Sequence, residues 1–228
     1  MKKYLKELIE KIKKIFKKPT ILLPQKSTEN EKLNYYIDIL SNNFDNEFYL
    51  LKVPFNISDE FKNQFYATVS QAEKYKNNLI FLLEKMLAYV GLPPKGVTLK
   101  IVYQDIFQEK KVAGEYCNKN VIKKEINLYL NYYSTLDNII SILAHEISHY
   151  LLNIRNLELE DTNKNEILTD VCAVYLGFGK YMLEGYKRTE YSSKEKSIIS
   201  KIGYIDTDDI QYIMNKIENI KKKYIIYL

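Results

Sequence analysis

The chain has 228 residues and a net charge of +5, with 46% apolar residues, seven glycines and five prolines. These values point to a globular rather than a disordered chain and allow one domain with a real core, or one domain plus an appendage. Two cysteines, Cys117 and Cys172, exclude a disulfide framework and fit a reducing compartment.

The basic excess is concentrated at the start, where residues 1–20 carry eight lysines against two glutamates. Leu5, Leu8, Ile9, Ile12, Ile15 and Phe16 keep helical spacing, so residues 1–18 read as a basic amphipathic helix. Two uses stay open. The stripe docks on the protein's own core or a second copy, or the helix lies on an anionic membrane surface. No uncharged apolar run is long enough to span a bilayer, and the N-terminus lacks an apolar signal block. A cytoplasmic protein is therefore expected, peripheral at the inner membrane surface under the second reading. No nucleic-acid partner is expected, because the only arginines are Arg155 and Arg188 and arginine dominates specific phosphate and base contacts.

Pro19 ends the first helix, residues 19–30 read as a linker, and residues 31–228 as the main domain. LNYYIDIL is a candidate short helix and EFYLLKVPF a candidate strand. Ser58 is placed to cap one long helix running from Asp59 through Phe65, Val69, Leu79 and Leu83 to Val90, stopped by Gly91 and Pro93-Pro94. Strands are expected at 97–104 and 124–132. In the second, Ile126, Leu128 and Leu130 alternate with Asn127 and Tyr129. Between them, Gly114 suggests a bend or a close backbone approach. Ser134 and Asp137 suggest a capping box opening the next helix. A further helix is expected from Asp161 or Thr162 to Gly185, and a last one from Asp206 or Thr207, with a stripe of Ile210, Ile213, Met214, Ile217 and Ile220. The pattern predicts an α+β domain, mostly helical, with a small sheet.

Both histidines of the chain fall in SILAHEISHYLL, four residues apart. On a helix, His145 and His149 share a face and can point two imidazoles at one ion. Glu146 lies beside them at another angle, where it can reach a water without ligating the metal. This is the HExxH arrangement of two zinc ligands and a general base. The uncharged flanks Ala144, Ile147, Ser148, Tyr150, Leu151 and Leu152 make the helix a buried one, and buried polar groups require partners. A third protein ligand must be a carboxylate or a cysteine, because there is no third histidine. That excludes the metzincin arrangement. Cys172 reads as a packed core thiol, rotated away from the ligand face. Gly177 and Gly179 read as points of close helix–helix contact.

Downstream lies NEILTD, with Glu166 and Asp170 one helical turn apart. HExxH followed by ExxxD resembles the gluzincin clan of zinc metallopeptidases, as in thermolysin-like and CAAX-processing families, over residues 124–185. The resemblance implies a zincin-like domain whose sheet lies beside the HExxH helix, with Glu166 as third zinc ligand, Asp170 orienting His145, and Glu146 polarising the water. It implies a peptide or protein substrate, paired with an edge strand for which 124–132 is the candidate. The interval from His149 to Glu166 is shorter than in thermolysin-like relatives, so RNLELEDTNKN must be compact, and it offers Glu158 and Glu160 as false ligands. The residue that stabilises the oxyanion is open among Tyr116, Tyr181, Tyr191 and Arg188. The expected function is zinc-dependent peptide hydrolysis. The alternatives are a non-catalytic or regulatory metal-binding module on the same scaffold, and a membrane-surface adaptor using the lysine-rich helix.

Overall fold

The computed structural model describes residues 28–45, 48–49, 52–104, 113–118, 124–131, 134–187, 189–192, 197–200 and 202–226. The basic helix expected over 1–18 and most of the linker lie outside them. The described residues form a mostly helical domain with a small three-stranded mixed sheet.

Helix α1 (Glu29–Asn43) starts at a reciprocal cap. Glu31 N–H donates to Thr28 Oγ1, and Thr28 N–H donates to Glu31 Oε2. Its buried face is Leu33, Tyr36, Ile37 and Leu40, at helical spacing. Among the described residues of 47–55, the expected strand does not form. Phe48 and Tyr49 are helical, and 53–58 runs without sheet partners.

The single helix expected after Ser58 is two. Ser58 caps α2 (Asp59–Ala67) by accepting from Phe61 N–H, and the chain restarts as α3 (Ala72–Tyr89). The break has a local cause. Thr68 folds its hydroxyl back onto Phe65 C=O and receives Asn78 Nδ2, while Val69 projects to solvent, 55% exposed.

Strands β1 (Val97–Tyr103), β2 (Gly114–Asn118) and β3 (Lys124–Leu130) lie in the order β1–β3–β2. β1 is parallel to β3 with Ile101 opposite Leu128; β2 is antiparallel to β3 with Tyr116 opposite Ile126. β3 is therefore central, and the expectation that 124–132 is the edge strand is corrected. The edges are β1 and β2, and the GEYCN of β2 carries too little apolar alternation to announce itself.

The core of the domain is α4 (Leu136–Ile154), packed on β2, β3 and α3 and on both following helices. Its cap is Thr135, one residue later than expected: Asn138 N–H donates to Thr135 Oγ1 and Thr135 N–H to Asn138 Oδ1, while Ser134 Oγ accepts from Asn131 N–H. Ile139, Leu143, Ile147 and Leu151 are buried. Each such side chain contributes roughly 1.5–3 kcal/mol on burial, which fixes the rotation of the helix and hence where its polar residues point.

Asp161 caps α5 (Thr162–Ala173) through Lys164 N–H. The helix expected to continue to Gly185 is interrupted by a widened turn at Val174–Phe178, where Gly177 adopts φ 102°. A side chain there would strike the Tyr89 hydroxyl, so the close contact is with α3. Helix α6 (Gly179–Gly185) follows, with Gly179 against Met214 and Gly185 against Ser141 of α4. A hairpin of β4 (Thr189–Ser192) and β5 (Ser197–Ser200) leads to α7 (Thr207–Ile226), which Asp206 caps through Asp208 and Asp209 N–H. No helix among the described residues is long and apolar enough to cross a membrane.

Candidate metal centre

Two buried helices cross so that α4 presents His145 and His149 toward Glu166 of α5. His145 Nε2 lies 3.0 Å from His149 Nε2, and Glu166 Oε2 lies 3.1 Å from the first and 3.2 Å from the second. A tetrahedral ion with ligands at about 2.0–2.1 Å separates them by about 3.3 Å. The triangle thus needs to open by only a few tenths of an ångström to close on an ion.

The outer ring nitrogens decide which lone pairs face inward. His145 Nδ1 is 2.7 Å from Asp170 Oδ1, and a carboxylate can only accept, so Nδ1 carries the hydrogen. His149 Nδ1 is 3.2 Å from Thr169 Oγ1, whose own hydrogen is given to Asn165 C=O at 2.8 Å. Both Nδ1 atoms are therefore donors, and both Nε2 lone pairs point at Glu166. Three electron-rich atoms converging in a largely buried site need a positive charge between them. Without a metal, a proton supplies it. Burial opposes the His145 imidazolium, but hydrogen bonds to Asp170 and Glu166 outweigh it and hold the group up to about 10. Burial likewise opposes the Glu166 carboxylate, and the two histidines outweigh it, holding the group down to about 2. His145, His149 and Glu166 thus form a site capable of coordinating a divalent metal ion.

Asp170 is fully buried and uses both oxygens. Besides His145, Oδ1 receives the Tyr186 hydroxyl at 2.5 Å; Oδ2 receives the backbone N–H groups of Tyr204 at 2.7 Å and Ile205 at 3.2 Å. One carboxylate therefore ties His145 to the end of α6 and to the turn before α7.

Glu146 faces the same cleft, only 4% exposed. Burial pushes its carboxyl up, opposed by His145, His149 and the Tyr116 N–H. β2 runs directly against it. A methyl group at Gly114 would sit 2.5 Å from Glu146 Oε1 and 2.6 Å from Ile142 Cγ2, so the glycine permits the close approach that the sequence suggested. The cleft holds about 530 Å³ and is bounded by α4, by residues 113–118, and by the turn 202–204.

The other candidates scatter. Tyr116 lines the cleft, but its ring stacks on Tyr150 and its hydroxyl is sealed from solvent without a hydrogen-bond partner. Tyr181 is committed elsewhere, accepting from Ile57 N–H and donating to Asn56 Oδ1. Arg188 and the side chain of Tyr191 lie outside the described residues. Glu158 reaches the cleft wall, where it accepts from Asn153 Nδ2, but it stands apart from the three-ligand cluster, as does Glu160. Cys172 is fully buried, and burial pushes its thiol up to about 12. Sequence reasoning missed Thr169, whose position one turn beyond Asn165 and three beyond Glu166 was a usable signal. It also missed Tyr186 and Tyr204, which no local spacing relates to the histidines.

The chain matches none of the protein-family models, curated proteins or solved structures with which it was compared. The reading of the site therefore stands on its own geometry.

Proposed function

We propose that this chain is a zinc-dependent peptidase of the gluzincin type, with His145, His149 and Glu166 as metal ligands and Glu146 as general base. The observation that carries the reading is the tautomer control. Asp170 and Thr169 occupy both Nδ1 atoms, leaving both Nε2 lone pairs for a cation beside a cleft that contains a further, unligated carboxylate. A mixed nitrogen and oxygen donor set of three suits zinc and leaves one position open, as catalytic sites do.

Bound there, zinc supplies Lewis acidity toward a water and a peptide carbonyl. The chain's own residues do the rest. Glu146 takes a proton from the attacking water and returns it to the leaving amine nitrogen as the C–N bond breaks, and the water oxygen remains in the new carboxyl group. Asp170 holds His145 in the ligating tautomer throughout. Among the described residues β2 is an edge strand of the sheet, and its residues line the cleft, which is the place this reading assigns to an extended peptide or protein segment.

The test is metal analysis combined with hydrolysis. Zinc-replete protein is expected to hold about one zinc per chain and to cut fluorescein-labelled casein, while Glu146→Gln keeps the zinc and cuts nothing. Absence of zinc from replete protein, or zinc content unchanged in a His145→Ala/His149→Ala variant, refutes the assignment. Zinc without any cleavage leaves a metal-binding module in place of a peptidase.

A further inference from the structure

Hydrolysis of an amide develops negative charge on the carbonyl oxygen, and a donor placed at that oxygen stabilises the transition state. No lysine or arginine is among the described residues lining the cleft. Its neutral side-chain donors are few, and nearly all are committed. Tyr186 gives its hydroxyl to Asp170, Asn153 gives Nδ2 to Glu158, Asn118 gives Nδ2 to Asn153, and the Tyr116 hydroxyl is sealed inside. Tyr204 differs from all of them. Its hydroxyl has no acceptor among the described residues, it is 54% exposed, and it lines the cleft.

The chain goes to some length to put it there. Gly203 turns at φ 84° with its backbone pressed on the Tyr186 ring, so tightly that any side chain would collide. The Tyr204 N–H is anchored to Asp170, the carboxylate that also orients His145, and the Tyr204 ring stacks on the His145 ring with centroids 5.9 Å apart and planes 19° apart. An exposed tyrosine lining the cleft, anchored through its backbone to the partner of a proposed metal ligand, is built to meet something that enters. We infer that Tyr204 is a catalytic residue, its hydroxyl donating to the scissile carbonyl oxygen as that oxygen gains charge. The inference rests on the peptidase reading above.

The test uses the zinc-loaded full chain and Tyr204→Phe, which keeps the ring stack and the backbone anchor. Kinetics are read on one peptide spanning a cleavage site identified from the casein products, and binding on the phosphinic analogue of that peptide, whose tetrahedral anion mimics the charged oxygen. Loss of one such donor lowers kcat by about 100–1000-fold. The expected result is that loss, with affinity for the phosphinic analogue falling in parallel and with KM, zinc content and Tm unchanged. Binding of the unmodified peptide should be the same in Glu146→Gln with and without Tyr204→Phe. Retention of kcat within threefold overturns the inference, as does a rise in KM alone. Loss of zinc also overturns it, because Tyr204 would then be a prop for His145. In each of those cases an active wild type leaves the peptidase reading intact. A zinc-loaded wild type that cuts casein no faster than Glu146→Gln overturns both.

Discussion

The two walls of the cleft are held by different forces. The helical wall, α4 and α5, places His145 with His149, and Glu166 with Thr169 and Asp170, by helical repeat within each helix, and packing of Ile139, Leu143 and Ile147 sets the rotation of α4. The opposite boundary, β2 and the turn 202–204, is short and irregular. It is located by contacts between residues far apart in the chain, Gly114 against Glu146 and Tyr204 N–H on Asp170. The contrast teaches a division of labour. The proposed metal ligands sit where local geometry is stiffest, and groups that would meet a substrate sit where tertiary contacts position a few exposed atoms.

Breaking the helical wall is expected to have the largest effect. Glu166→Ala removes one of the three proposed ligands and should abolish stoichiometric zinc, measured by elemental analysis after dialysis against a weak chelator. Asp170→Asn keeps the shape but no longer accepts cleanly from four donors, and zinc affinity should fall by roughly 10–100-fold in a competition titration. Equal zinc affinity in Asp170→Asn and wild type would mean that the tautomer of His145 is set by something else.

The second boundary is tested at Gly114. Gly114→Ala forces β2 away from Glu146 while touching no ligand. We expect zinc content to stay at the wild-type level and kcat to drop by up to about 100-fold, the usual consequence of displacing reacting groups by an ångström. A loss of zinc in this variant would erase the distinction between the walls.

Protons sharpen the comparison further, because only the helical wall carries them in place of the metal. Metal-free His145 is held up to about 10, so at pH 7 zinc must displace its proton. Calorimetry in buffers of different ionisation enthalpy should show about one proton released per zinc. Affinity should weaken as pH falls, since acid favours the protonated, metal-free form. Proton release of zero at pH 7 would contradict the proposed pairing.

The smallest effect is expected from deleting residues 1–18, which lie outside the described residues. Zinc content should not change. If the lysine face serves a membrane, co-sedimentation with anionic vesicles is lost with the segment, and in the full chain it weakens with salt as charges beyond roughly 8 Å are screened at physiological ionic strength. Equal pelleting of both forms removes the membrane role.

Legibility in the sequence followed the range of the interactions involved. α1, β1, β3 and α7 were legible because their apolar periodicity runs over many residues. The Thr68–Gln71 break was missed because one hydroxyl bonding Phe65 C=O outweighs a stripe that continues in register across it. The cap of α4 shifted by one residue because Thr135 and Asn138 pair as well as the expected Ser134 and Asp137. β2 was missed because five residues of mixed polarity become a strand only when β3 offers a partner.

What the sequence by itself determined is the juxtaposition of atoms within one or two helical turns. His145 with His149, and Glu166 with Asp170, follow from a 3.6-residue repeat that burial leaves no freedom to change. Only the tertiary structure decided that Glu166 faces both histidines, that Thr169 takes His149 Nδ1, and that Tyr204 lies over His145. Those pairings join residues 17 to 59 positions apart, and their distances depend on how α4, α5 and the 202–204 turn pack together, which no local periodicity encodes.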